Sequence, residues 1–479
     1  MERVLTVEQM RSADKFTIEN LGVPEEELVF RAGKCVADEI LKRFIGGRVL
    51  VCIGTGNNGA DGRVVADILS SVHGFSVNVL SINSGIIKLF EKKYDIIVDC
   101  IFGTGLNREV ADKYKTVIEN INSSGAFVIS CDIPSGINGD NGKVMGIAVK
   151  ADLTVAIQEL KLGHFLNDGP DYSGKIVLKD IGISVWEDEF VKKYSDVDAK
   201  DCFVKRKTNV NKGDFGKACV IGGSKKYSGS VFLSALALSS LRVGVGYNYL
   251  VVPETLLNSY LLKVPECILL SGKDNGDSLV FDEGLLKKLL DFDTISFGMG
   301  MGVSEEIYKI LAYLLQNYKG KLIIDADGLN VLSLFGKDIL KNKTCKVVIT
   351  PHIGEFARLI DVNKDLIIDS PVFYAKEFAK EFELIVVLKS STTVITDGKE
   401  TFINTTGTPA MAKAGSGDVL SGVISGIAAR TDDLLHSVVA SSYVFGRAGE
   451  IATKKLNEYS VLATDIVNCI PDAINSLFK

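Results

Sequence analysis

The stretch that decides the fold of the first half is Val49-Leu50-Val51-Cys52-Ile53-Gly54-Thr55-Gly56-Asn57-Asn58-Gly59-Ala60-Asp61-Gly62. An apolar run typical of a buried strand leads into a glycine-rich loop, and residues 64–69 then carry apolar side chains at helical spacing. The loop contains G-x-G-x-x-G, a spacing that lets backbone amides approach a phosphate. The next strand, residues 76–82, ends without the usual acidic ribose partner, and no lysine completes a Walker A loop. The loop therefore predicts a modified nucleotide site, with a simple tight turn as the alternative.

Strands and helices alternate on both sides of this stretch. Strand, helix, strand order predicts a mainly parallel sheet covered on both faces. A polar stretch over residues 186–212 interrupts the alternation, so we expect two α/β domains, residues 1–204 and 205–479. Helical spacing covers residues 6–20 and 25–44, and strand-like runs cover 49–53, 76–82, 96–101, 127–132, 153–157, 218–221, 250–252, 294–297, 322–325, 347–350, 385–388 and 393–396.

Composition excludes several classes of protein. The net charge of −6 argues against a general nucleic-acid binder. No basic start followed by an apolar run indicates a signal peptide, and no apolar segment is long enough for a bilayer. The nine cysteines include no C-x-x-C pair, so we expect reduced thiols in a cytoplasmic protein. Glycine is in excess, with 46 Gly against 9 Pro, which indicates many tight loops.

Two further loops leave predicted strands of the first half. Phe102-Gly103-Thr104-Gly105-Leu106-Asn107-Arg108 offers glycine amides and a guanidinium to a phosphate. Cys131-Asp132-Ile133-Pro134-Ser135-Gly136 places a carboxylate at a strand end, where it could exchange a proton. Asn58, Asp99 and Ser135 carry hard oxygen donors suited to an alkali or alkaline-earth ion. Each aspartate taken alone could equally be a loop or cap residue, but the carboxyl ends of parallel strands share one crevice, where these loops can meet.

The second half carries its sharpest signal near its end. Ala414-Gly415-Ser416-Gly417-Asp418 precedes an apolar helix, an arrangement that points backbone N–H groups and the helix dipole at an anion. Asp418 could accept a hydroxyl proton during phosphoryl transfer, or it could be a simple helix cap. The Asp325/Asp327 pair could hold magnesium or belong to a packed strand end.

The first-half motifs N-N-G-x-D-G, F-G-T-G-L and D-I-P-S-G, in this order, resemble the NAD(P)H-hydrate epimerase domain. The opening helix with Asp14 is also similar, and Ala60 stands where that family usually has glycine. The resemblance implies a Rossmann-like three-layer fold, Asp132 as the acid/base residue and potassium ligands at Asn58, Asp99 and Ser135. It implies substrate contacts at Asn57, Asn58, Gly59, Ala60, Asp61, Gly103, Thr104, Gly105, Leu106, Asn107, Arg108, Glu109, Tyr114 and Asp132.

In the second half, D-A-D-G-L-N, T-P-H-x-G-E-F and the run from Met411 to Leu420 resemble NAD(P)H-hydrate dehydratase, which has a ribokinase-like fold. Ser390 stands where glycine usually follows the lysine, and Lys413-Ala414 replaces a pair of small residues. The resemblance implies contacts of Gly300, His352 and Asp418 with the hydrated substrate, with Asp418 as the base. It implies magnesium, and adenine-nucleotide contacts at Lys389, Ser390, Ser391, Thr392, Thr393 and Gly417.

The two resemblances cover nearly the whole chain in the order of bifunctional family members. They imply epimerisation of the R and S hydrates of NADH and NADPH, and dehydration of the S hydrate with ADP, which yields AMP and phosphate. We expect no nucleic-acid or membrane partner, and a homo-oligomer. The alternative is a small-molecule kinase for a vitamin or sugar, of the ribokinase type, fused to a non-catalytic nucleotide-binding module.

Overall fold

The computed structural model describes residues 1–82, 93–185, 189–239 and 242–478. It divides the chain into two compact units, Glu2–Val191 and Lys192–Lys479, the second of which also includes Met1. Trp186, Glu187 and Asp188, which open the polar stretch expected near the boundary, lie outside the described residues. The division falls before the expected residue 204, because Tyr194 and Ala199 are buried in the core of the C-terminal unit.

The N-terminal unit has a parallel sheet of strand order β3-β2-β4-β5-β6-β8. Strands β4 and β6 are buried along their whole length and mostly apolar, as expected of strands covered on both faces. The short strands β1 and β7 pair in parallel with each other. The strands are β1 Glu2–Leu5, β2 Gly47–Ile53, β3 Phe75–Ser81, β4 Ile96–Cys100, β5 Phe127–Cys131, β6 Leu153–Ile157, β7 Leu160–Lys161 and β8 Lys175–Lys179; the helices are α1 Val7–Glu19, α2 Glu25–Leu41, α3 Asn57–Ser70, α4 Asp112–Ser123 and α5 Gly169–Ser173.

The helices of this unit pack on both faces of the sheet, as the alternating sequence predicted. One core joins α2 and α3 to the sheet through residues such as Val36, Ile40 and Val65. A second core joins α4 to the sheet through Val117, Ile118 and their neighbours. Because β2, β4 and β5 are parallel neighbours, the loops that follow them meet at one edge of the sheet.

The C-terminal unit has a sheet of order β12-β11-β10-β13-β14-β15-β16-β17-β18. Its strands are parallel from β12 to β16, and β16, β17 and β18 are antiparallel. The strands are β9 Val191–Lys193 at the boundary, then β10 Lys217–Gly222, β11 Tyr247–Pro253, β12 Ile268–Gly272, β13 Thr294–Met299, β14 Lys321–Ile324, β15 Lys346–Ile349, β16 Ile385–Leu388, β17 Thr393–Thr396 and β18 Thr401–Asn404.

The helices of this unit include α15, most of whose residues are buried in a hydrophobic core. Val419, Val423 and Ile424 of α15 pack there against α16 and α17. The helices are α6 Asp196–Lys200, α7 Ser228–Ser239, α8 Leu257–Tyr260, α9 Glu283–Leu289, α10 Glu305–Asn317, α11 Asp327–Phe335, α12 Ile353–Ile360, α13 Lys364–Asp369, α14 Pro371–Phe382, α15 Ser416–Ala428, α16 Leu434–Lys455 and α17 Ala463–Ser476.

Two broader expectations can be compared with the structure. All nine cysteines are free thiols, as the absence of a C-x-x-C pair predicted. Within the residues that the structure describes, no helix combines the length and apolar character needed to cross a membrane.

Candidate active sites

A cavity of about 540 Å³ opens in the N-terminal unit at the carboxyl ends of β2, β4 and β5. Its walls come from helices α1 and α2 and from the loops that follow these strands. The predicted residues that line it are Asn57, Asn58, Asp61, Gly103, Thr104, Gly105, Leu106, Asn107, Arg108 and Asp132. The three motifs therefore meet in one site, as their positions at strand ends predicted.

The glycine-rich stretch is less of a loop than the sequence indicated, because α3 begins at Asn57. Glycine is required where the chain turns: a Cβ at Gly54 would lie 1.9 Å from the Ile101 carbonyl oxygen, and one at Gly59 would lie 2.2 Å from that of Gly54. Ala60 lies within the first turns of the helix, where alanine is well accommodated. The replacement of the family's usual glycine therefore leaves the turn intact.

Asp132 lies at the centre of a buried polar group. It follows directly after β5 and has a φ of +66°, in the left-handed region that residues other than glycine seldom adopt. Oδ1 accepts hydrogen bonds from the Lys161 ammonium and from the Ile157 N–H at 3.1 Å. His164 Nε2 lies 2.8 Å from the Asp132 carbonyl oxygen. The Lys161 side chain is only 1% exposed, so this ion pair is shielded from solvent.

Two further carboxyls face the same cavity. Burial, reinforced by the charge of Asp132, raises the pKa of Asp61 to about 8. Burial also raises the pKa of Asp14 to about 6, since the favourable charge of Lys161 offsets burial only in part. Burial and the nearby Lys161 charge lower the pKa of His164 to about 4. At neutral pH the site thus holds a protonated Asp61 and a neutral His164 beside the Lys161–Asp132 pair.

Two of the three predicted metal ligands, Asp99 and Ser135, are hydrogen-bonded to each other. Asp99 is fully buried, and burial raises the pKa of its carboxyl even though Ser135 donates to it through both N–H (2.9 Å) and Oγ (2.5 Å). Asn58, at the start of α3, lies against Gly103, and the preceding residue Phe102 donates its N–H to Ser135 Oγ at 2.8 Å. Among the described residues neither atom of the buried Asn58 side-chain amide has a hydrogen-bond partner. An unsatisfied amide oxygen, a buried carboxylate and a hydroxyl fit a hard cation such as potassium.

Four predicted contacts are not among the residues that line the cavity in the described part of the chain: Gly59, Ala60, Glu109 and Tyr114. Gly59 packs against Gly54, and Tyr114 lies against Phe102 with ring centroids 4.8 Å apart. Sequence reasoning in turn missed Lys161 and His164, which follow β6 in the run Leu160-Lys161-Leu162-Gly163-His164. A lysine in an otherwise apolar run just after a strand was the available signal.

The candidate site of the C-terminal unit surrounds the first turn of α15. Gly415 caps this helix in the left-handed conformation (φ +94°), and Asp418 lies in the first turn. Burial, then the charge of Asp325, raises the pKa of Asp418 to about 7, although a hydrogen bond with Ser230 and the charge of Lys389 act in the opposite direction. The free N–H groups of such a helix start favour an anion.

Lys389 joins the predicted nucleotide contacts to this helix. Its Nζ lies 3.0 Å from Asp325 Oδ1, and a Cβ at Gly417 would lie 3.2 Å from the same Nζ. Burial alone would lower the pKa of Lys389, but the charges of Asp325 and Glu355 outweigh it and raise that pKa. Ser390 and Ser391 are exposed in the turn between β16 and β17, whereas Thr392 is buried.

The substrate contacts predicted at Gly300 and His352 lie against the same group of residues. Gly300 has a φ of +65°, and a Cβ there would lie 2.5 Å from the Tyr227 carbonyl oxygen and 3.1 Å from Cβ of Ser230, the partner of Asp418. The backbone of His352 pairs with that of Lys389 in an isolated parallel β-bridge. His352 Nδ1 accepts hydrogen bonds from the N–H groups of Gly354 (3.0 Å) and Glu355 (3.2 Å), so in the neutral ring Nε2 carries the proton.

The Asp325/Asp327 pair is engaged within the protein. Ser421 Oγ donates to Asp325 Oδ2 at 2.6 Å, and Asp325 Oδ1 accepts from Lys389. Asp327 accepts from the Gly302 N–H at 2.8 Å and from Asn330 Nδ2 at 3.2 Å. In the described residues, no group of three or more His, Cys, Asp or Glu side chains is arranged to hold a metal ion.

Comparison with known proteins gives matches in both units. The family model described as NAD(P)H-hydrate dehydratase matches residues 218–472, and the model described as YjeF-related protein N-terminus matches residues 25–86 and 84–163. The chain is 33% identical, over 99% of its length and 97% of the relative, to a protein of Thermofilum pendens named bifunctional NAD(P)H-hydrate repair enzyme. A protein of the same name from Archaeoglobus fulgidus is 31% identical over 95% of each chain.

Solved structures match the C-terminal part of the architecture. A crystal structure described as ADP/ATP-dependent NAD(P)H-hydrate dehydratase from Bacillus subtilis, co-crystallised with ATP and Mg²⁺, is 25% identical with a TM-score of 0.52. It covers 60% of this chain and 99% of that one. A ribokinase-like superfamily protein from Enterococcus faecalis, also 25% identical, has a TM-score of 0.53 and covers 60% of this chain and 96% of that one.

Proposed function

This chain belongs to the family of bifunctional NAD(P)H-hydrate repair enzymes, and we propose how its two sites divide that work. The N-terminal site interconverts the R and S hydrates of NADH and NADPH. The C-terminal site dehydrates the S hydrate with ADP and releases NAD(P)H, AMP and phosphate. A cytoplasmic location and a homo-oligomeric assembly are part of the proposal.

The chemistry of the substrate explains why both sites carry ionisable carboxyls. A hydrate of a reduced nicotinamide is water added across an enamine double bond, which places the hydroxyl on the carbon beside the ring nitrogen. The nitrogen lone pair can expel this hydroxyl if an acid protonates it. Loss of the hydroxyl and its return on the other face changes R into S, whereas its loss with a neighbouring ring proton restores the reduced cofactor.

At the N-terminal site, Asp132 acts as the acid/base residue. The Lys161 ammonium fixes the direction of the Asp132 carboxylate, because the pair is shielded from solvent and the Ile157 N–H bonds to the same oxygen. Asp61, protonated at neutral pH, donates a hydrogen bond to the substrate. The amides of residues 103–107 and the Arg108 guanidinium bind its phosphates.

Asn58, Asp99 and Ser135 would hold a potassium ion. A bound potassium ion would supply fixed positive charge beside the phosphate-binding loops. Among the three ligands, Asn58 gives the strongest support for an ion at this place, because its buried amide oxygen lacks a hydrogen-bond partner among the described residues.

At the C-terminal site, Asp418 accepts the proton of the substrate hydroxyl as that oxygen attacks the β-phosphate of ADP. The hydroxyl oxygen becomes a phosphate ester, a far better leaving group than hydroxide, and its elimination yields NAD(P)H. The start of α15 binds the transferred phosphoryl group through its backbone amides. Lys389 and Ser390 to Thr393 bind the nucleotide. Magnesium would neutralise phosphate charge. Asp325 and Asp327 could hold it only if they exchanged their present partners within the protein for the ion.

The observation that carries the proposal is that Asp418 has a pKa of about 7 in the first turn of α15. Such a carboxyl is both ionised enough to accept a proton and basic enough to bind it. The test incubates the full chain with S-NADH hydrate, ADP and magnesium and follows the absorbance of reduced nicotinamide. A rise supports the proposal. No rise contradicts it, and phosphorylation of a vitamin or sugar instead would favour the kinase alternative.

Epimerisation is tested in the same vessel with R-NADH hydrate. Dehydration specific for the S form consumes the R hydrate only as fast as the N-terminal site converts it. Replacing potassium by choline in the buffer tests the ion. Slower conversion of the R hydrate with unchanged dehydration of the S hydrate is the expected result.

A further inference from the structure

Asp14 faces the N-terminal cavity from a different element than Asp132. Met10, Asp14 and Ile18 recur every fourth residue on helix α1, and all three line the cavity. They therefore form one stripe of the helix, with the carboxyl between two apolar side chains. Asp132 reaches the same cavity from the end of β5.

Helix α1 is held firmly enough to position this carboxyl. Thr6 and Gln9 form a capping box at its start. The Val7 N–H donates to Asp140 Oδ1 at 2.7 Å, and the Ser184 N–H donates to Thr17 Oγ1 at 2.9 Å. Contacts at both ends of the helix thus tie it to distant parts of the same unit.

The charged groups around Asp14 place it in the electrostatic field of the site. The charge of Lys161 favours the ionised form of Asp14, whereas the charges of Asp132 and Glu25 oppose its ionisation. Arg11 and Asp61 also line the cavity. Burial has the largest effect, and the resulting pKa of about 6 leaves Asp14 able to give or take a proton near neutral pH.

The proposed epimerisation requires proton transfer on both faces of the ring. The hydroxyl leaves from one face and water adds to the other, and one fixed carboxyl cannot serve both. We propose that Asp14 is a second catalytic acid/base residue, paired with Asp132 so that one protonates the departing hydroxyl and the other deprotonates the entering water. This assignment rests on the proposed epimerase function of the site.

The carboxylic acid of Asp14 gives its proton to the hydroxyl oxygen, the C–O bond breaks with its electron pair on oxygen, and water departs as the nitrogen lone pair forms a C=N bond. A water molecule then attacks the other face of this carbon and gives its proton to the Asp132 carboxylate. Asp14 ends ionised and Asp132 protonated, which is the starting state for the reverse direction, and exchange with solvent restores the first state.

The test compares Asp14→Asn with the wild-type full chain in conversion of R-NADH hydrate. We expect a loss of about 10²-fold in epimerisation, with dehydration of the S hydrate unchanged. We also expect the wild-type rate to show an ionisation near pH 6 that is absent in Asp14→Asn. Asp14→Glu, which retains an acid, should restore part of the rate. Glu19→Gln is the matched control, since it removes an exposed charge from the same helix and should leave the rate unchanged.

The possible results distinguish failure of the proposed epimerase function from failure of the role proposed for Asp14. If the wild-type chain fails to convert R hydrate, the proposed epimerase function falls and the role of Asp14 falls with it. If the wild type converts R hydrate and Asp14→Asn does so within twofold with the same pH profile, only the role of Asp14 is overturned. If Asp14→Asn and Asp14→Glu are equally inactive although thermal unfolding is unchanged, proton transfer is again overturned in favour of a steric requirement.

Discussion

The two candidate sites each contain a lysine and several aspartates, but the lysine pairs with a different member of the group. In the N-terminal unit Lys161 bonds directly to Asp132, the proposed acid/base residue. In the C-terminal unit Lys389 bonds to Asp325, while the proposed base Asp418 is left with Ser230. The same residue types therefore give one proposed acid/base residue in direct contact with its lysine and one whose pKa is raised to about 7 by burial and the charge of Asp325.

This difference shows that residue types alone do not fix the environment of the proposed base, because the lysine bonds it directly in one site and bonds a neighbouring carboxylate in the other. A lysine in direct contact with a carboxylate stabilises its charged form. A carboxyl that the lysine does not contact has its pKa raised by burial and by repulsion from neighbouring carboxylates. The N-terminal site, where the lysine bonds the proposed acid/base residue, should respond most strongly to loss of Lys161. The C-terminal site should respond most strongly to loss of Asp418 and to pH.

The largest effect is expected from Asp418→Asn. Asparagine has nearly the same shape but cannot accept the hydroxyl proton, so dehydration of the S hydrate should fall by about 10³-fold. Nucleotide binding, measured by calorimetry, should persist, and epimerisation of R hydrate by the same chain is the internal control. Retained dehydration would refute the assignment of Asp418 as the base.

Next in size is Lys161→Met. Loss of the ammonium leaves Asp132 beside Asp14 and Asp61 without its cation, so epimerisation should fall by about 10²-fold while dehydration is unchanged. Lys161→Arg should be less impaired because it keeps the charge. Lys175→Met, which removes an exposed lysine at the start of β8, is the matched control. Equal rates for Lys161→Met and Lys175→Met would remove Lys161 from the mechanism.

A smaller effect is expected from pH on dehydration. Below pH 7 Asp418 is mainly protonated and cannot accept a proton, and above it the base is ionised. The turnover rate at saturating substrates should therefore rise about tenfold between pH 6 and pH 8, as expected for one group that titrates near the middle of this range. A rate that is flat or falls over this range would contradict the raised pKa.

The smallest effect is expected from Ala60→Gly, which restores the glycine usual in the family. Ala60 lies within helix α3, so glycine there should destabilise the N-terminal unit by about 0.5–1 kcal/mol through the extra freedom of the unfolded chain. Thermal unfolding should shift down by roughly 2–4 °C, and both activities should stay within twofold. A gain in epimerisation instead would mean that alanine constrains the active turn.

The sequence located most strands of the two sheets, including β3 at one edge, but it missed β18 although that strand is buried along its length. Predicted runs such as 153–157 and 385–388 coincide with β6 and β16, because mostly apolar runs are typical of buried parallel strands, and the run 393–396 coincides with the antiparallel strand β17. The strands β8 and β12 were missed, since they lie at sheet edges and most of their residues are partly exposed or exposed. The strands β7 and β9 are too short, at two and three residues, to show a period.

By itself the sequence determined the glycine-bearing turns, the aspartates at strand and helix ends and the order of the two units. These features are local, because a turn or a helix start depends on a few adjacent residues. Only the tertiary structure decided which charges face each other. Lys161 and Asp132 are separated by β6, and Asp14 reaches their cavity from the opening helix. Burial and mutual repulsion, which set the pKa values of Asp14, Asp61 and Asp418, exist only once distant segments have packed together.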